Sequence, residues 1–284
     1  MGIFDGCLLA CDIDGTLVSG ELFPERNIRA IEHFTAEGGA FSLSTGRSAS
    51  ALGMVTSKIN NISLSVLTNG CVIYDFKEHK AIWQACLSQH TIGMAQRVLE
   101  NYNIGFEMHS ADRAFVPARC KASDLHEEYE HISAEFVSLE EARKHDINKV
   151  LYFIEDDEHI KLLENLSKEY ENDCTFFKTC AFINGRKQNY FEQLPKGASK
   201  SQALDDVCKM LNIKRENYFA IGDYYNDVPM LTSAYISAVP EGAPDDIKNK
   251  ADITVCPVSD GAVADFIEYL EDKLKNGQAN KIKP

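Results

Sequence analysis

Short apolar runs rich in β-formers alternate with amphipathic helical patterns at both ends of this 284-residue chain. That alternation constrains its fold more than any other feature. Residues 7–11, 41–44, 64–67, 218–221, 236–239 and 253–255 read as buried strands. Pro24 opens a helix that carries Ile28, Ile31 and Phe34 and closes at Gly38-Gly39. Leu204, Val207 and Leu211 mark a second apolar helix face, and Val263, Phe266, Ile267, Leu270 and Leu274 a third. Strand–helix–strand order of this kind predicts an α/β fold: a doubly wound parallel sheet with helices on both faces.

The middle breaks the pattern. Residues 85–194 hold a helix with Ile92, Ala95, Leu99 and Tyr102, then a polar stretch and a strand at 150–154. A helix with Leu163, Leu166 and Tyr170 follows, then β-prone segments near 176–183 and 189–191. The reading is a discontinuous core, 1–84 and 195–284, interrupted by an α+β insert at 85–194. The length suits two domains at about 150 residues each. The polar tail at 277–284 is expected to fray.

Charge and cysteine usage narrow the function. Acidic residues outnumber basic ones 43 to 29, for a net charge of −14, which argues against nucleic-acid or anionic-membrane partners. No apolar run approaches the roughly 20 residues that cross a bilayer. Residues 1–11 lack a basic start and are interrupted by Asp5, unlike a signal peptide. Nine scattered cysteines, an odd number without metal-like pairs, read as reduced thiols of a cytoplasmic protein.

Chemistry concentrates at strand ends. Asp12-Ile13-Asp14-Gly15-Thr16 follows the first strand, where ligands of open parallel sheets bind. Alternation along an extended chain would turn Asp12 and Asp14 to one side, although Asp and Gly also build ordinary turns. Ser44-Thr45-Gly46-Arg47 after the second strand could hold an anion with a hydroxyl and backbone N–H groups, or simply cap a helix. Gly222-Asp223-Tyr224-Tyr225-Asn226-Asp227 after the strand at 218–221 offers hard oxygen ligands of the kind Mg²⁺ takes, or another N-cap. Lys196 and Lys200 flank the start of the Leu204 helix, where the helix dipole disfavours a lysine. Both are also compatible with a solvated surface.

The order of these elements resembles the haloacid dehalogenase-like superfamily, specifically the Cof-type hydrolases, over the whole chain. Asp12-x-Asp14-Gly15-Thr16 resembles the first motif, Ser44-Thr45-Gly46-Arg47 the second and Ser199-Lys200 the third. Gly222-Asp223-x-x-Asn226-Asp227 with Met230-Leu231 resembles the fourth. Asn69-Gly70 and Asp260-Gly261-Ala262-Val263 are also similar to Cof-type landmarks. The resemblance implies a Rossmann-like core and, because only residues 17–40 separate the first two motifs, a C2-type cap at 85–194, of the smaller C2B kind.

It also implies a Mg²⁺-dependent phosphatase acting on small phosphorylated metabolites such as sugar phosphates. Asp12 would be the nucleophile that becomes an aspartyl-phosphate, and Asp14 the general acid and base. Mg²⁺ would be held by the Asp12 carboxylate, the Asp14 backbone carbonyl and Asp223. Thr45, Gly46, Lys200 and Asn226 would bind the phosphate, Lys200 also offsetting charge at the nucleophile, with Asp227 behind them. Arg113, Arg119, Lys121, Arg186 and Lys187 are candidates for reading the leaving group, or else a solvated cap surface. Two departures stand out: Tyr224-Tyr225 where Gly commonly follows the Asp, and Glu241-Gly242-Ala243 without the usual Asn.

A phosphomutase shares the same nucleophile and acid, and a non-catalytic phosphometabolite-binding regulator shares the pocket. A metal-binding Asp-x-Asp glycosyltransferase explains neither Lys200 nor the fourth motif. A receiver-type signalling domain would carry its Asp on a middle strand and need no such insert. The partner expected is a small phosphorylated molecule, with the protein a monomer or small homo-oligomer.

Overall fold

A computed structural model describes residues 2–277 apart from 21, 131 and 184–185, so the tail expected to fray from 278 onward lies outside the described residues. The chain opens with β1 (Leu8–Cys11), α1 (Glu25–Ala36), β2 (Ala40–Leu43), α2 (Gly53–Thr56), β3 (Ser65–Leu67), β4 (Val72–Asp75) and β5 (Lys80–Gln84). It continues with α3 (Gln89–Asn101), β6 (Phe106–His109), β7 (Ala114–Ala118), α4 (Lys121–Glu130), α5 (Leu139–Ala142), β8 (Lys149–Ile154), α6 (Asp157–Ser167), β9 (Cys174–Ile183) and β10 (Arg186–Pro195). It closes with α7 (Lys200–Met210), β11 (Tyr218–Ile221), α8 (Val228–Ser233), β12 (Ile236–Pro240), α9 (Asp245–Lys248), β13 (Ile253–Val255) and α10 (Ala262–Lys275). Two compact units result. The first takes residues up to Gly46, Met54–Ile82 and those from Ser199 onward; the second takes Arg47–Gly53 and Trp83–Ala198.

The first unit is built on a sheet in the order β13-β12-β11-β1-β2, every pair parallel. β1 lies between β11 and β2, and all four of its residues are buried, as a strand covered on both faces must be. α1 turns Ile31 and Phe34 inward, with the Phe34 ring centroid 4.6 Å from that of Phe4. β3 meets the residue just after β2 through the isolated parallel bridge Ser44↔Val66 and starts a separate sheet, β3-β4-β5, that the apolar runs did not reveal. The order β11-β1-β2 brings the loops after three strands to one sheet edge, the place where parallel sheets bind ligands.

The second unit is a sheet ordered β7-β6-β8-β10-β9, antiparallel throughout its pairings. One face packs α3 and α6 against Phe106, Met108, Val150, Tyr152 and Phe191. Leu99 and Tyr102, assigned from spacing to the apolar face of that first helix, are exposed instead. The polar stretch hides β6 and β7. On β6, Glu107 and His109 alternate with Phe106 and Met108 yet are themselves buried. The Glu107 Oε2 atom lies 3.0 Å from His126 Nδ1 and 3.1 Å from His109 Nε2. Lys149, opposite His109 on β8, also faces this cluster, and Glu127 on α4 adds negative charge to it.

Acid stability follows from that cluster. Burial penalises the Glu107 carboxylate, but the flanking histidines override it and hold its pKa down at about 2. Burial likewise pushes the His109 imidazole below its usual range. Both groups therefore bind protons less readily folded than unfolded, so both contribute stability that is lost on acidification. The His109 contribution declines as pH falls below about 6.5 and the Glu107 contribution between about 4.5 and 2. Thermal melts should shift down between pH 7 and pH 5, and His109→Gln should flatten that shift; parallel melts of both proteins across this range check it.

Candidate active site

β1 ends at Cys11, and the chain leaves it in a tight loop. The N–H groups of Leu17 and Val18 both return to the Ile13 carbonyl, at 2.9 and 3.0 Å. The extended chain therefore gives way to a turn at Ile13. Asp12 and Ile13 are buried while Asp14 is exposed, so the turn, rather than a strand pleat, sets the two carboxylates. The Asp12 N–H donates to the Ile221 carbonyl at 3.0 Å, which fixes the loop against β11. Gly15 has φ +82°, and a Cβ there would lie 2.4 Å from Asp223 Oδ2. Any larger residue would drive the loop away from Asp223. Thr16, quoted in the sequence motif without a role of its own, donates its hydroxyl to Asp223 Oδ1 at 2.9 Å.

Lys200 completes the group. Ser199 caps α7 by accepting the Gln202 N–H at 3.1 Å. Lys200, Ala203, Leu204 and Val207 then share the buried stripe, because residues three, four and seven apart align on a helix. The ammonium is 2% exposed as a residue and lies 2.6 Å from both Asp12 Oδ1 and Asp227 Oδ1. The surface alternative for Lys200 is thereby removed. Lys196 instead donates to the Glu171 carbonyl at an exposed position. The other oxygen of Asp227 accepts the N–H groups of Asp223 and Tyr224, at 3.1 and 3.2 Å. One buried carboxylate thus ties the lysine to the loop that carries Asp223.

Burial and the neighbouring Asp227 charge raise the Asp12 carboxyl well above the usual range, against the pull of Lys200. The same two causes push Asp223 up to about 7. Burial disfavours the Lys200 ammonium, yet Asp12 and Asp227 outweigh it and hold its pKa up. Oxygens of Asp12, Asp223 and Asp227 lie within 4.8 Å of one another. Three carboxylates facing one ammonium leave an excess of negative, hard oxygen donors. Such a set fits a divalent cation, whose charge would relieve the repulsion that raises Asp12 and Asp223.

Thr45 and Gly46 follow β2, next to β1. Thr45 is 1% exposed and its N–H donates to the Val66 carbonyl at 2.9 Å. Asn226 is half-buried in the turn Tyr225–Asp227. Tyr224 and Tyr225 are exposed, with ring centroids 4.9 Å apart. In the second unit Arg113, Arg119, Lys121, Arg186 and Lys187 are all exposed, Arg113 pairing with Glu135 and Arg119 with Asp124.

Comparison with known proteins gives a consistent picture. A family model described as haloacid dehalogenase-like hydrolase matches residues 9–267. The 5-amino-6-(5-phospho-D-ribitylamino)uracil phosphatase YcsE of Bacillus subtilis is 27% identical over 257 residues, covering 89% of this chain and 92% of that protein. A haloacid dehalogenase-like hydrolase structure from Bacteroides thetaiotaomicron superposes with TM-score 0.83 at 17% identity, covering 93% of this chain and 99% of that one. The subclass IIB sugar phosphatase BT4131 gives TM-score 0.78 at 22% identity, over 93% and 98% of the two chains.

Proposed function

The chain belongs to the haloacid dehalogenase-like hydrolases and is a phosphoric monoester hydrolase, and from that premise we propose that it works on small phosphorylated metabolites through an aspartyl-phosphate on Asp12. The observation that carries the reading is the Lys200 ammonium held 2.6 Å from both Asp12 and Asp227. It keeps a buried carboxylate in place as a nucleophile at the edge of the sheet.

Asp12 attacks phosphorus, the bond to the leaving oxygen breaks, and Asp14 gives that oxygen its proton. Asp14, exposed one turn beyond Asp12, is placed to exchange with solvent. It then takes a proton from the water that attacks the aspartyl-phosphate, which releases inorganic phosphate and restores Asp12. Thr45 and Gly46 hold phosphate oxygens, and Asn226 orients the same group. Lys200 offsets charge on the nucleophile and the phosphoryl oxygens, as phosphoryl transfer requires. Asp227 keeps Lys200 and the Asp223 loop in register.

Asp12, Asp223 and the Asp14 backbone carbonyl would hold Mg²⁺, with Asp227 already committed to Lys200 and two N–H groups. When bound, the ion supplies positive charge to the phosphoryl oxygens. The relative from Bacillus subtilis is named for a phosphorylated ribitylaminouracil, which supports a phosphorylated sugar or polyol as the substrate class. The segment 85–194 serves as the cap in this reading. A cytoplasmic setting is supported by nine cysteines that are all free thiols; among the described residues no helix is long and apolar enough to cross a membrane.

The test is hydrolysis of an aryl phosphate followed by a panel of sugar and polyol phosphates with Mg²⁺. Phosphate release with no bisphosphate requirement is expected, whereas a need for a bisphosphate would identify a mutase. Excess chelator should silence turnover. Mg²⁺ at 100 times its Kd should also add about 2.7 kcal/mol of stability, read as a rise in melting temperature. Full activity in chelator would overturn the metal assignment.

A further inference from the structure

The turn after β3 is strained in a way its connecting role does not require. Thr68, Asn69 and Gly70 have φ of +52°, +54° and +99°, three consecutive left-handed residues. Glycine takes such angles freely and asparagine tolerates them, but a β-branched threonine rarely does. Thr68 is also fully buried, and its hydroxyl has no hydrogen-bond partner. A conformation this unfavourable persists only where its surroundings over-determine it.

Those surroundings are two parts of the active site. On one side, the Asn69 N–H donates to the Thr45 carbonyl at 3.0 Å, while the Thr45 N–H donates to Val66 at 2.9 Å. The Asn69 amide also fills the space beside Gly46: a Cβ there would sit 3.2 Å from both its Nδ2 and Oδ1 atoms. On the other side, a Cβ on Gly70 would lie 2.3 Å from the Ser199 carbonyl carbon and 2.8 Å from the Lys200 nitrogen. The strained turn is therefore wedged between the Thr45–Gly46 loop and the first residue of α7.

We propose that Thr68–Asn69–Gly70 is a positioning brace, with Asn69 setting the Thr45–Gly46 loop and Gly70 setting where α7 presents Lys200. This rests on the phosphatase reading, whose roles for Thr45, Gly46 and Lys200 it extends to residues that touch no reacting atom. The two ends of the brace act on different parts of catalysis. Losing the Asn69 amide loosens the phosphate-holding loop. Enlarging Gly70 shifts the lysine that neutralises the nucleophile.

Two variants separate these roles. Asn69→Gly keeps the left-handed backbone at no steric cost, so its melting temperature should stay near wild type. Its inhibition constant for inorganic phosphate should rise roughly tenfold, because a loosened loop no longer pre-orders its donors. Gly70→Ala should lower kcat by roughly a hundredfold with little change in KM, since ångström-scale displacement of a charge-stabilising group has that effect. Wild-type phosphate inhibition in a well-folded Asn69→Gly protein would overturn the brace, as would wild-type kcat in Gly70→Ala. Should Gly70→Ala fail to fold, Asn69→Gly decides alone. Wild-type turnover of an aryl phosphate reads the phosphatase assignment separately, so an inert wild type and an indifferent variant point to different failures.

Discussion

Asp12→Asn gives a folded protein with turnover of an aryl phosphate reduced by roughly 10⁴-fold or more. The amide is nearly the same size and keeps one oxygen toward the Lys200 ammonium, but it cannot attack phosphorus. Stability should not suffer. Burial and the Asp227 charge make the ionised Asp12 an unfavourable neighbour, so neutralising it relieves repulsion in the cluster while sacrificing part of one ion pair. Steady-state rates beside a urea melt check both halves. Mixing radiolabelled substrate with each protein and quenching rapidly adds a direct readout: label trapped on the wild type and absent from the variant. Normal turnover by purified Asp12→Asn would sink the nucleophile assignment.

Lys200→Met has the second large effect, and its sign on stability is opposite. The methionine fills the same space on the α7 stripe, yet Asp12 and Asp227 lose the ammonium that both touch. Leaving buried carboxylates without their partner costs about 3–5 kcal/mol. The unpaired Asp227 also loosens its hold on the Asp223 loop, because one oxygen is freed from a fixed position. Turnover should fall by roughly 10²–10³, the range seen when one transition-state charge stabiliser is removed. Mg²⁺ should return part of the lost stability by supplying positive charge to the same carboxylates. Urea unfolding with and without Mg²⁺ reads this; an unchanged unfolding midpoint for Lys200→Met would refute the lysine's bridging role.

Particular residues show how far the sequence could be read. The strands at 218–221 and 253–255 appear in the structure with those bounds, the other core strands shift by one residue at one or both ends, and the β-prone segment near 189–191 extends to Arg186–Pro195. Short apolar runs bounded by turn formers make strands of a buried parallel sheet easy to recognise. β6 was invisible because Glu107 and His109 make its outward pattern polar. A carboxylate shared between two buried histidines is a tertiary arrangement that composition cannot reveal. Leu99 and Tyr102 err in the other direction: they fit helical spacing but fall where α3 turns to solvent. Lys200 carries a local signal of its own. It stands four residues before Leu204, on the helix stripe that Leu204 and Val207 bury, so a surface position was inconsistent with the helix it opens.

The sequence by itself determined the α/β core, the strand-end placement of Asp12, Asp14, Thr45 and Asp223, and the membership that the family comparison shows. These rest on local patterns: apolar period, turn chemistry and motif spacing. Only the tertiary structure decided that Asp12 is buried while Asp14 is exposed, that Asp227 joins Lys200 to the Asp223 loop, and that Thr68–Asn69–Gly70 is wedged between Gly46 and Lys200. Each of those facts depends on segments far apart in the chain meeting at one sheet edge. Burial, charge pairing and close backbone approach are properties of that meeting, so no single stretch of sequence encodes them.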